Sequence, residues 1–189
     1  PSVGLSYSSS AGHGNAGVGW DVGWPYIARQ TDRGLPRYAT LGATEAWKPD
    51  QDRFVFNGGQ ELVPICRVNG GACAGALQGE VMPTWADGWR YFRPRVEGGF
   101  LRFFWSPDGK TWRVQDKGGV TMEIGVPLDG SGYTGALETD PANASRVFRW
   151  NLARQFDQES AGPQPAPLDA PVNVVVYRYS QDGGMAYLT

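Results

Sequence analysis

Glycine and proline decide what this chain can fold into. Its 189 residues hold 27 Gly and 14 Pro, and in a helix interior these cost about 1 and about 3 kcal/mol respectively. One interval escapes both for long, residues 142–161 between Pro141 and Gly162. Elsewhere the breakers recur too often for more than about three helical turns, so all-α and α/β folds are excluded. What the intervals carry instead is period two: Phe54 and Phe56 across Val55; Leu101, Phe103 and Trp105 across Arg102; Val120, Met122, Ile124 and Val126 across Thr121 and Glu123; Val175, Tyr177 and Tyr179 across Arg178. Each alternation predicts a half-buried strand. Turn signals separate them, among them Asn57-Gly58-Gly59, Asn69-Gly70-Gly71, Asp87-Gly88, Ser106-Pro107-Asp108-Gly109 and Asp182-Gly183-Gly184, whose residues tolerate the positive φ of tight hairpin loops.

Residues 91–126 therefore read as an antiparallel meander. The breaker-free interval fits two patterns: Phe148, Leu152 and Phe156 share a helical face, whereas Phe148, Trp150 and Leu152 share a strand face. Only the strand buries Trp150 with its neighbours, so a strand is expected there. Pro163, Pro165, Pro167 and Pro171 follow, predicting a stiff surface loop over 157–173. Eight each of Trp, Tyr and Phe argue for a packed core rather than low-complexity disorder. The expected class is all-β: many short antiparallel strands and hairpins in an open or curved sheet, one β-rich domain over 1–189.

Several function classes find no support. A net charge of −2, with three lysines and scattered arginines, lacks the basic patch of a nucleic-acid binder. No run approaches the roughly 20 apolar residues of a membrane span. The string Gly12-His13-Gly14-Asn15-Ala16-Gly17, with Asp32 downstream, matches a dinucleotide fingerprint literally. The fingerprint works only at a helix N-terminus, and Gly17-Val18-Gly19-Trp20-Asp21-Val22-Gly23-Trp24-Pro25 cannot supply that helix. His13 is the single histidine, too few for a catalytic zinc site with two histidines. Asp50-Gln51-Asp52 lacks the glycine and terminal Glu of a calcium loop. No catalytic, cofactor or metal residue is assigned.

Two features support structural readings. A two-residue loop at Asn69-Gly70 would pair Val68 with Gly71 and set Cys66 opposite Cys73, within disulfide reach. The eight tryptophans could in principle form a sugar-stacking platform, but Trp105, Trp112 and Trp150 alternate in phase with aliphatic residues, the pattern of a buried face.

An ordered series of motifs then resembles one family: PSVGLSYSS at 1–9, GHGNAGVGWDV at 12–22, IARQT at 27–31, GLPRY at 34–38, DRFVFNGGQELV at 52–63, YFRPRVE at 91–97, WRV at 112–114 with GG at 118–119, and WNL at 150–152. This succession resembles the SpvB family, which includes the N-terminal region of a Salmonella virulence protein and of the B component of insecticidal Tc toxin complexes. The resemblance implies a structural N-terminal segment of a hollow shell, similar to RHS-repeat proteins, in a secreted bacterial toxin or toxin-complex component. Its implied partners are downstream RHS or shell repeats of the same protein, the enclosed toxin polypeptide, and a channel-forming toxin subunit. It implies no enzyme here, since the family's ADP-ribosyltransferase and autoprotease parts lie further C-terminal and no Glu-x-Glu occurs in this sequence. The closing Met185-Ala186-Tyr187-Leu188-Thr189 resembles the middle of a strand that relatives continue, so a fragment is expected. The competing reading is a free-standing carbohydrate- or surface-binding β-sandwich.

Overall fold

The computed structural model describes residues 4–7, 9, 13–14, 17–38, 52–68, 82–157, 171 and 173–189. Short strands open the chain: β1 (Gly4–Tyr7), β2 (His13–Gly14), β3 (Gly17–Val18), β4 (Trp20–Gly23) and β5 (Tyr26–Arg29). Then come β6 (Phe54–Phe56), β7 (Gln60–Arg67), a single 3₁₀ turn at Thr84–Ala86, β8 (Arg90–Pro94), β9 (Arg102–Trp105), β10 (Thr111–Gln115) and β11 (Thr121–Gly125). The chain ends with β12 (Leu137–Asp140), the 14-residue β13 (Asn143–Phe156), β14 (Val174–Val176), β15 (Tyr179–Asp182) and β16 (Met185–Leu188). The antiparallel class and the meander over 91–126 are as the sequence predicts, and the ambiguous interval is the longest strand.

The open or curved sheet is corrected. Strands β5 to β11 pair in sequence order, and β13 pairs with both ends of that series, Arg149–Asn151 with β5 and Leu152–Phe156 with β11. The sheet thus closes into an eight-stranded antiparallel barrel, which leaves those strands no open edge. Closure depends on the length of β13, because one strand must reach neighbours on both sides. A register shift helps: Ile124 pairs with Leu152 but Glu123 pairs with Arg154, so Ala153 is the extra residue of a bulge. The bulge lets Leu152 stay in the core while Arg154 turns to meet Glu123. The single strand expected over 174–179 is two pieces, β14 on β13 and β15 in a hairpin with β16.

The barrel interior is filled with side chains. Phe54, Phe92, Phe103, Trp112, Val114, Ile124, Trp150 and Leu152 are each at most 2% exposed. The Phe54 ring centroid lies 4.9 Å from Trp105, 5.1 Å from Trp112 and 5.8 Å from Trp150, and Trp105 stacks on Trp112 at 5.4 Å. Each such pair contributes about 0.5–1.5 kcal/mol beyond its buried area. The indole N–H groups of Trp105 and Trp150 both donate to the Gly109 carbonyl, at 3.2 and 3.1 Å. Arg29 packs at the edge of the same cluster, 5.2 Å from the Phe54 ring centroid and 5.4 Å from Trp150, donating to the Val147 carbonyl and to Asp52. Burial pulls the Arg29 guanidinium below its usual pKa, against the opposing pull of Asp52.

The outer wall is also largely covered. Arg113 donates twice to Glu123 Oε1, at 3.1 and 2.8 Å, while Glu123 Oε2 accepts the Leu128 N–H and lies 3.2 Å from Arg154 Nε. Glu123 is fully buried and both arginines nearly so. On an adjoining stretch of wall the β15–β16 hairpin is clamped by Gln181, whose amide donates to the Gly135 and Leu137 carbonyls, and by the Thr139 N–H on Gly184 O. The Tyr179 hydroxyl donates to Leu152 O, and burial raises its pKa far above the ordinary phenol value.

Two outcomes follow from this packing. Gly125 has φ +97°, and a Cβ there would strike the Lys110 carbonyl and lie 2.7 Å from Trp150 Cδ1. Gly125→Ala should therefore destabilise the barrel by about 2–4 kcal/mol, measured as a lowered urea midpoint with an unchanged slope. Glu123→Gln removes the charge between two buried guanidiniums and should cost about 3–5 kcal/mol; an equilibrium denaturation shift below about 1 kcal/mol would show that Glu123 is not the balancing charge.

Candidate docking surface

Those residues singled out in the sequence that are described lie on separate elements. The described residues of the glycine fingerprint pair as short antiparallel strands, His13 opposite Val18 and Gly14 opposite Gly17, and the described residues that come next are strands. That backbone offers no helix N-terminus for a pyrophosphate. Asp52, from the partial calcium motif, accepts the Arg37 and Tyr38 N–H groups and the Arg29 guanidinium; Asp50 and Gln51 lie outside the described residues. Among the described residues no three His, Cys, Asp or Glu side chains gather as metal ligands.

Cys66 lies half-buried in β7 opposite Tyr91 of β8. Cys73, the Asn69-Gly70 turn and most of the proline-rich loop lie outside the described residues. Of the described tryptophans, Trp24, Trp89, Trp105, Trp112 and Trp150 are buried, Trp85 is half-buried and Trp20 is exposed. The alternation rule therefore located the core tryptophans correctly.

Acidic side chains on the wall serve mainly as counter-ions. Arg95 grips Glu61 with two hydrogen bonds, 2.6 and 2.9 Å, and Arg53 adds a third at 3.3 Å. The Arg95 hydrogen bonds hold the Glu61 carboxyl below its usual pKa. At Asp129 burial works in the opposite direction, but hydrogen bonds from Ser131 and the Arg154 charge outweigh it and its pKa is also lowered. Carboxylates held ionised in this way suit ion pairing rather than proton donation near neutral pH.

The surface features that remain are apolar strand faces. Strands β1 and β4 pair as a ribbon in which Leu5 opposes Val22 and Tyr7 opposes Trp20. Opposed residues share a face, so Leu5, Tyr7, Trp20 and Val22 form one apolar ladder. Leu5 and Tyr7 are each 59% exposed, Trp20 42%, and the Tyr7 and Trp20 rings lie 4.9 Å apart. At the other end of the chain Met185 and Tyr187, each 49% exposed, stand on the outward side of the β15–β16 hairpin, whose Tyr179 and Ala186 are buried against the barrel. Sequence reading missed both faces as surface features, because alternation locates an apolar face without saying whether anything covers it. No described helix is long and apolar enough to cross a membrane.

The chain is similar to the N-terminal domain of effector protein SpvB from Salmonella typhimurium strain LT2, with 23% identity, TM-score 0.62, and coverage of 100% of this chain and 57% of that one. It is similar to the crystal structure of TcdB2-TccC3-Cdc42, with 20% identity, TM-score 0.65, and coverage of 100% and 8%. The Photorhabdus luminescens Tc holotoxin pore gives 20% identity, TM-score 0.62 and the same coverage. At these identities the likeness shows the fold, and the chain spans a little over half of the first relative and a small part of the others. No curated protein matches the sequence. The model of one family, described as the Salmonella virulence plasmid 65kDa B protein, matches residues 1–164 of the 189, and the chain therefore belongs to the SpvB family.

Proposed function

We propose that this chain is a non-enzymatic wall-building domain of a secreted bacterial toxin or toxin-complex component. Its barrel serves as a rigid block, and its exposed strand faces pack against further segments of a shell that encloses and helps deliver a toxic polypeptide. The observation that carries this reading is the apolar ladder of Leu5, Tyr7, Trp20 and Val22 on a two-stranded ribbon. Val22 at one end of the ladder packs against the cluster of Trp24, Ala153 and Tyr179 in this chain, whereas Leu5, Tyr7 and Trp20 stay exposed, and an exposed apolar face gains stability once covered. The barrel interior holds side chains, so any enclosed polypeptide lies outside it. Likeness to TcdB2-TccC3-Cdc42 and to the Tc holotoxin pore supports partnership within a toxin complex, and the partners proposed there are other shell segments and a channel-forming subunit.

The carbohydrate-binding alternative draws on the same Tyr7–Trp20 pair. Its platform would be small, since Trp20 is the exposed indole among the described tryptophans. Glycan-dependent quenching of tryptophan fluorescence, lost in Trp20→Ser, would favour that reading.

Secretion is proposed together with a Cys66–Cys73 bond, supported by a Cys66 sulfur that is not a free thiol and by the chain's having one other cysteine. Alkylation without reduction should leave both cysteines unlabelled, and reduction should cost about 2.5 kcal/mol for an eight-residue ring. Labelling of both would remove this support. In a sedimentation concentration series, the isolated chain should self-associate, and Tyr7→Ser with Trp20→Ser should restore the monomer. A strict monomer throughout would contradict exposed packing faces.

A further inference from the structure

We infer that the outward edge of β14 is a strand-addition site, filled by an extended apolar segment of the same protein that lies outside these 189 residues. The inference rests on the shell reading above, because its occupant is one of the further segments proposed there. β14 lies along one side of β13, with Val176 opposite Arg154, Val175 opposite Gln155 and Val174 opposite Phe156. The other side of those β13 residues is taken by β11, so β14 is an extra strand beside the closed barrel. Among the described residues β14 has no further strand neighbour.

Register fixes which main-chain groups are left over. The Tyr177 N–H donates to the Ala153 carbonyl at 2.9 Å, which makes these two a hydrogen-bonded pair. Alternation along an antiparallel ladder then turns the N–H and C=O of Val175 toward Gln155, and those of Val174 and Val176 away from β13. Among the described residues no hydrogen bond reaches the outward groups of Val174 and Val176. Their side chains are 39% and 46% exposed, although Phe156 and Arg154 opposite them are buried. Three β-branched residues in a row favour pairing. Of the devices that protect open edges, β14 has shortness but neither charge nor proline.

That shortness decides the occupant. Two β14 edges joined across a two-fold axis would share about four main-chain hydrogen bonds, far less contact than the roughly 1,200 Å² of a stable interface. A strand from an unlinked protein meets the same limit. A covalently linked strand does not, since linkage gives it an effective concentration of about millimolar. Relatives have chain enough to supply one, because the matched region is a little over half of one and a small part of another. The Leu152 N–H donates to the Pro25 carbonyl at 2.9 Å, one residue from the Ala153–Tyr177 pair. The path from the exposed ladder into the barrel and the open edge thus start side by side on β13.

The test is residue-resolved hydrogen exchange on the intact gene product, purified alone, and on the 189-residue chain. In the shorter chain the Val174 and Val176 amides should exchange like solvated amides while Val175 and Tyr177 stay protected. In the intact product Val174 and Val176 should slow about 100-fold or more. Val176→Pro removes an outward N–H and no bond to β13. It should keep Val175 and Tyr177 protected in the shorter chain and return Val174 to fast exchange in the intact product. Slow exchange of Val174 and Val176 in the shorter chain would show an edge already covered and overturn the inference, as would a Val174 still protected in the Val176→Pro product. Fast exchange in the intact product with the Leu5–Trp20 ladder buried would overturn the inference and leave the shell reading standing. Fast exchange with that ladder exposed would overturn both.

Discussion

The aromatic packing inside the barrel is the constraint on which the rest of the structure depends. Phe54, Trp105, Trp112 and Trp150 come from four strands, β6, β9, β10 and β13, and meet within about 6 Å of one another. They share the interior with Phe92, Phe103, Val114, Ile124 and Leu152, so the strands that close the barrel are also the strands that pack it. The Gly109 carbonyl satisfies two of the three indoles, which ties the Ser106–Gly109 turn to the core rather than leaving it a passive connection. Gly125 leaves room for Trp150. A change at any of these points is felt across the barrel because the interior offers no slack.

Much of this was legible before any coordinates. The Gly and Pro spacing excluded long helices, period two located the core strands, and Trp105, Trp112 and Trp150 were placed in the core by phase alone. Closure was not legible. It depends on β13 pairing with β5 through Arg149–Asn151 and with β11 through Leu152–Phe156, and long-range register leaves no local mark. The bulge at Ala153 has the same cause: it looks like ordinary sequence until Glu123 on another strand shows what Arg154 must reach.

The outer wall shows where alternation misleads. Thr121 and Glu123 occupy the polar phase of β11 and would ordinarily face water, yet both are buried, with Leu128 and Trp85 reaching Glu123 and its partner Arg113 from outside. Burial there creates the ion network, because a buried carboxylate requires a paired cation. Other side chains stay exposed on separate elements, Leu5, Tyr7 and Trp20 on the β1–β4 ribbon and Met185 and Tyr187 on the β15–β16 hairpin. In an eight-stranded barrel with a filled interior, recognition is confined to the outside, where these faces lie.

The central claim is that the barrel is a filled block whose strand faces are covered by other parts of a larger shell. Electron cryomicroscopy of the intact gene product tests it most directly. The account predicts an unchanged barrel with Trp105, Trp112 and Trp150 packed inside, and with Leu5, Tyr7 and Trp20 buried against other shell segments. A map in which that ladder faces solvent, or in which the barrel opens to hold polypeptide within it, would contradict the account.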